Sequence, residues 1–150
     1  MNRRRQIRFT PEEQADFLRA HRKAALATID NDGFPHVVAM NFFAKDGVFY
    51  MTSYGKAQKV LNIRRNPKVA LMVETGDRYP ELQGVLVRGR CEIIEGEEAV
   101  RAVFVDMARA RGASYERPSA AQDTAPKRVV LKITPEKTTS WDHTKLGGAY

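Results

Sequence analysis

Two short polar breaks ending in glycine, Asp30-Asn31-Asp32-Gly33 and Lys45-Asp46-Gly47, cut the first half of this chain into apolar runs of strand length. Asp and Asn tolerate the left-handed backbone that a tight reversal needs, and glycine adopts it without steric cost, so each break folds the chain back on itself. The runs they separate, Ala24 to Ile29, His36 to Phe43 and Val48 to Thr52, then read as strands of an antiparallel meander. Further along, Lys68 to Glu74 and Gly84 to Ile94 have the same character, the latter alternating at Val85, Val87 and Gly89. Arg128 to Thr134 forms a sixth strand and Thr138 to Asp142 a short seventh. Six or seven strands with few helices predict a mainly β protein, a small antiparallel β-barrel with helical decoration.

The helices are equally marked. Thr10-Pro11-Glu12-Glu13 supplies a hydroxyl cap, a proline at the first helical position and a glutamate at the third, opening a helix that ends near His21 and carries Phe17 and Leu18. A second helix is expected from Lys56 to Arg65, burying Ala57, Val60 and Leu61 and stopped by Asn66-Pro67. A third runs from Glu97 to Arg111, where Val100, Val103, Phe104 and Met107 recur at helical spacing as a core or dimer contact. Residues 112–127 offer almost nothing to bury and read as a loop. No repeat or linker divides the chain, so residues 1–150 are expected to form one domain.

The chemistry concentrates where the third strand meets the second helix, Val48-Phe49-Tyr50-Met51-Thr52-Ser53-Tyr54-Gly55-Lys56-Ala57-Gln58-Lys59. A strand that delivers hydroxyls and unpaired backbone N–H groups to a helix start makes an anion site, and two nearby lysines reinforce its positive field. The plainer alternative is a strand-to-helix turn with solvated lysines. A formal charge of +7 bears on the choice. Arg3, Arg4, Arg5 and Arg8 lie in an N-terminal arm, but neither a reading helix nor basic residues interleaved with aromatics are visible. Specific nucleic-acid binding is therefore not expected, and the excess charge suits a phosphorylated ligand.

Other chemistries are disfavoured by spacing. His21, His36 and His143 are too scattered for a metal site, Gly-x-Ser-x-Gly is absent, and no dinucleotide or phosphate-loop fingerprint occurs. The single cysteine, Cys91, excludes an internal disulfide and fits a reducing cytoplasm. No apolar run approaches a membrane span, and the basic start lacks a hydrophobic signal core, so a cytoplasmic location is expected.

Three segments carry a family resemblance. Leu26 to Val38 resembles the opening hairpin of the pyridoxamine 5′-phosphate oxidase-like, flavin-binding split barrels. Lys59 to Leu71 resembles that family's helix-to-strand pattern around Asn66-Pro67, and Val85 to Glu92 is similar to its following strand. The resemblance implies a homodimer with FMN, or alternatively coenzyme F420, at the subunit interface, and an oxidoreductase acting on a small-molecule substrate. A non-catalytic flavin- or haem-binding protein is the competing class. Carried across, it assigns Thr52 and Ser53 to hydroxyl positions, with Met51 preceding them. It gives Gln58 and Lys59 to the phosphate, with Lys56 as an extra cation. His36, Val37 and Val38 fall along the flavin ring, and Gln83 lies beside a further cofactor position. Trp141 is expected either to plug the barrel mouth or to reach over the partner's cofactor. Asn41 stands where the oxidase proper holds a substrate-binding lysine, and the C-terminal tail lacks its paired arginine and histidine, which argues against oxidation of vitamin B6.

Overall fold

The computed structural model describes residues 2–148. Seven strands form one antiparallel sheet: β1 (Lys23–Ile29), β2 (Pro35–Asn41), β3 (Phe43–Lys45), β4 (Val48–Tyr54), β5 (Lys68–Thr75), β6 (Gln83–Ile94) and β7 (Arg128–Asp142). Their order across the sheet is β2-β1-β5-β6-β7-β4-β3. The two edge strands are consecutive in the chain, joined by Phe42 alone, so the sheet curls into a half-barrel. Four helices decorate it: α1 (Arg3–Gln6), α2 (Pro11–Ala20), α3 (Gln58–Arg65) and α4 (Glu97–Ala110).

The reversals form as their residues require. Asp46 and Gly47 both take positive φ, 53° and 76°, giving the two-residue turn between Lys45 and Val48, which pair across it. Thr10 and Glu13 close a reciprocal capping box on α2. The strand expected from His36 to Phe43 is broken in two. Phe42 is buried and its N–H bonds to the Arg22 carbonyl, which turns the chain from the β1 edge to the β4 edge. The two strands expected near the C-terminus are instead one continuous β7, paired with β6 from Val130 to Asp142 and with β4 from Arg128 to Ile133, its register slipping opposite Arg88/Gly89.

Alternation sorts side chains into two cores. Inside the curl lie Leu26, Met51, Leu71, Val85, Val87, Leu131 and Ile133, with Phe17 and Leu18 of α2 and Val60 and Ile63 of α3. On the outer face, α4 sets Val100 and Val103 against Val130, Ala125, Tyr50 and Phe43. Each fully buried side chain of this size contributes about 1.5–3 kcal/mol of transfer free energy. The α4 stripe is thus core within the chain, with Phe104 and Met107 packed partly against it. The loop 112–127 does bury something: Ala125 is fully enclosed. In α3, Leu61 faces solvent and Ile63 takes the core position expected of it.

Candidate functional site

At one corner of the outer face, β4, β7 and the start of α3 bring a hydroxyl and two cations together. Thr52 alternates with Met51 and Ser53, so it faces outward while they face the barrel interior. Register sets Arg128 opposite Tyr54, two residues from Thr52 on the same face. The Arg128 guanidinium donates to Thr52 Oγ1 at 3.3 Å and lies 4.3 Å above the Tyr54 ring. Its Nε donates to Thr124 Oγ1 at 3.1 Å, leaving the guanidinium fixed on two sides. Lys59, in the first turn of α3, is half-buried nearby. Burial, and then the Arg128 charge, hold its pKa below the ordinary lysine value. Helix α3 begins at Ala57 with no side-chain cap and no acidic residue in its first turn, so its positive end is uncompensated.

These residues fit an anion. Two cations that disfavour each other gain from a shared counter-ion, and a phosphate would accept from Arg128, Lys59, the Thr52 hydroxyl and the first N–H groups of the uncapped helix. Beside this corner runs a groove of about 570 Å³ lined by Ala39, Asn41, Thr52, Arg111, Thr124 and Arg128. Asn41 and the loop 112–127 therefore share one cavity, although they lie far apart in sequence.

Other expected site residues are dispersed. Lys56 is exposed and precedes the helix rather than lying on it. Ser53 is buried inward, its hydroxyl donating to the Tyr54 carbonyl at 3.3 Å. The Met51 side chain is sealed in the core, leaving only backbone to meet a ligand. Gln58 Nε2 donates to Asn62 Oδ1 at 2.8 Å, and Asn62 in turn donates to the buried Thr28 hydroxyl at 3.0 Å. Gln58 thus belongs to an internal polar chain rather than to the cationic corner. His36 and Val38 face inward, paired in register with Thr28 and Leu26, and the His36 Nδ1 is buried without a partner. Val37 alone of the three faces out, 60% exposed.

Trp141 does not plug the barrel. It is paired with Gly84 on the outer face, its ring so close that a Cβ on Gly84 would lie 2.2 Å from Trp141 Cζ2. Gln83 sits next to it, paired with Asp142. Trp141, and Gln83 at the start of the neighbouring β6, thus lie at the opposite end of the 15-residue β7 from Val130, the partner of Thr52. At about 3.3 Å per residue the two ends lie tens of ångströms apart along the strand, so one small ligand cannot touch both the cationic corner and the tryptophan at short range within one chain.

A profile described as pyridoxamine 5′-phosphate oxidase matches residues 10–142, which contain every strand and the whole cationic corner. The chain belongs to the pyridoxamine 5′-phosphate oxidase family. It is similar to a conserved hypothetical protein of Mycobacterium tuberculosis, at 36% identity and a TM-score of 0.83, over 97% of this chain and 92% of that one. It is also similar to an F420 reductase, at 28% identity and a TM-score of 0.69, over 87% of this chain and 98% of that one. The haem storage protein HutZ of Vibrio cholerae shares the fold, with 18% identity, a TM-score of 0.66 and coverage of 89% and 96%. No curated protein matches the chain. Among the described residues, no helix is long and apolar enough to cross a membrane, and no three His, Cys, Asp or Glu side chains gather as a metal-binding group.

Arg128 escaped the sequence reading. It stands in a basic stretch at the start of a strand, and only the pairing of β7 with β4, which are separated by about half of the chain, brings it to Thr52. The family pattern reached Lys59 because that residue lies within a local motif.

Proposed function

We propose that this protein is an FMN-dependent oxidoreductase, with coenzyme F420 as the alternative cofactor, acting on a small organic substrate in sites shared by two copies of the chain. The observation that carries this reading is the corner of Thr52, Arg128 and Lys59 at the uncapped start of α3. There Arg128 and Lys59 would hold a cofactor phosphate. The outward face of β2, with Val37 and Ala39, offers a flat apolar bed for a ring system, whereas His36 and Val38 contribute only backbone. A bound flavin or deazaflavin supplies hydride or electron transfer, and the chain's work is to orient it and exclude water. The groove beside Asn41 is room for the substrate. Asn41 presents a neutral amide where the oxidase proper holds a lysine, so a phosphorylated B6 substrate would lack that cation, and its oxidation is not expected.

A second copy is supported by what the first leaves bare. Ala25, Ala27, Val37, Met72, Leu86 and Trp141 adjoin one another in register on the outer face of β2, β1, β5, β6 and the end of β7, and among the described residues no helix joins a core cluster with them. A permanent interface there would bury more than about 2,000 Å². It would also bring a partner's Gln83 and Trp141 within range of this chain's cofactor, which they cannot reach in their own.

The absorption spectrum of the purified protein, reconstituted with FMN, F420 or haem in turn, tests the assignment. A flavin or deazaflavin spectrum with turnover from a reduced nicotinamide donor supports it, and a haem spectrum without turnover replaces it with the carrier reading. Replacing Lys59 and Arg128 together by alanine should weaken FMN or F420 binding at least tenfold, about 1.4 kcal/mol. Unchanged affinity would remove the phosphate site.

A further inference from the structure

The loop 112–127 is tied to α4 by a half-buried ionic strap that ends one residue from the contact holding Arg128. Arg101, on α4, has a side chain only 15% exposed and pairs with both Glu97 and Asp123, whose own side chain is 9% exposed. It also donates to the Tyr115 hydroxyl at 3.2 Å. Bonding to Arg101, more than any other influence, holds the Asp123 carboxyl below the usual carboxylate range. The second oxygen of Asp123 accepts from the Ala125 N–H at 3.1 Å, fixing the turn that follows. Between those two residues stands Thr124, whose hydroxyl accepts from Arg128 Nε. The Thr124 carbonyl accepts from the Lys127 N–H, and the Lys127 carbonyl accepts from Gly55 N–H, which pins the loop's end to the turn that precedes α3.

We propose that Arg101 and Asp123 are positioning residues for the anion corner: they set Thr124, which aims Arg128 across Thr52 toward Lys59. The inference rests on the assignment of that corner to the cofactor phosphate. An arginine freed at Nε would retain its charge and its stacking on Tyr54, but lose the second constraint that fixes the plane of its fork, and planar two-point contact is what distinguishes arginine from a point charge. The sign of the effect is diagnostic. Asp123→Asn removes a negative charge close to a phosphate site, so charge alone would strengthen phosphate binding, whereas lost aim weakens it.

The test measures affinity for the cofactor that the wild-type protein binds, FMN or F420, and for its phosphate-free core, in the Asp123→Asn, Thr124→Val, Arg128→Ala and Asp123→Asn/Arg128→Ala proteins. Asp123→Asn and Thr124→Val should each weaken binding of the phosphorylated cofactor about tenfold, leave the phosphate-free core unaffected, and add nothing to the loss caused by Arg128→Ala. Arg101→Lys, which retains charge but not the fork, should weaken binding in the same selective way. Thr124→Val leaves the ionic strap intact, so it reports on aim even if the charge variants fold poorly. If Arg128→Ala has no effect, or neither cofactor binds, the phosphate assignment fails and this inference with it. If Arg128→Ala weakens binding but the strap variants do not, strengthen it, or act additively, the positioning role alone is overturned.

Discussion

The outer face of the sheet has two halves built from similar residues and finished in different ways. Over β3, β4 and the start of β7, α4 supplies Val100 and Val103 as a lid from within the chain, and Val130 beneath them is 2% exposed. Over β1, β2, β5 and the start of β6 nothing comparable lies among the described residues, and Val37 remains 60% exposed. The helix that could have covered both halves crosses only one. A chain that carries apolar residues in register on the bare half is suited to cover them with something other than itself, and the cationic corner sits near the border between the halves.

The largest expected effect breaks the covered half. Val100→Asp places an unpaired carboxylate in a fully enclosed site. It should cost more than about 4 kcal/mol, enough to leave little folded protein in a thermal melt. The matching change on the bare half, Val37→Asp, should shift the melting free energy of the chain's own fold by no more than about 0.5 kcal/mol. In light scattering, however, it should convert a dimer into a species of 17.0 kDa. A wild-type protein already at 17.0 kDa would end the argument that a second copy supplies the missing cover.

A smaller effect sharpens the border. Because burial and Arg128 lower the Lys59 pKa in the folded chain, the charged amine is worse placed folded than unfolded. Stability should therefore rise, not fall, as pH climbs through the lowered folded value toward the ordinary lysine value near 10.5. A bound phosphate restores a counter-charge and pushes the pKa back up, so binding should take up protons within that alkaline window. Calorimetry in buffers of different ionisation enthalpy would detect this uptake, and its absence in the wild-type protein, or its persistence in Lys59→Ala, would detach Lys59 from the ligand.

How much of this was legible in the sequence follows the range of each interaction. The capping box at Thr10 and Glu13, the turn at Asp46-Gly47 and the alternation of β6 are local, and each formed where its residues indicated. The errors came from contacts between distant segments. Nothing near Phe42 announces that its strand must change edges, because the reason lies in Arg22 and β4. The adjacent hydroxyls Thr52 and Ser53 read as a pair, yet strand alternation sends them to opposite faces, and only Thr52 meets Arg128. Gln58 matched a motif position, but its amide is taken up by Asn62 one helical turn away.

The place of β7 in the sheet has a consequence for how the chain is made. It is the last of the seven strands to leave a ribosome, yet it lies between β6 and β4 and is hydrogen-bonded to both. Until it emerges, the sheet exists at most as two pieces, β2-β1-β5-β6 and β4-β3, each with an open edge facing the gap. Nascent chains therefore carry strand edges that can pair with one another, and a shortage of chaperones during synthesis should harm this protein more than heat applied once β7 is in place.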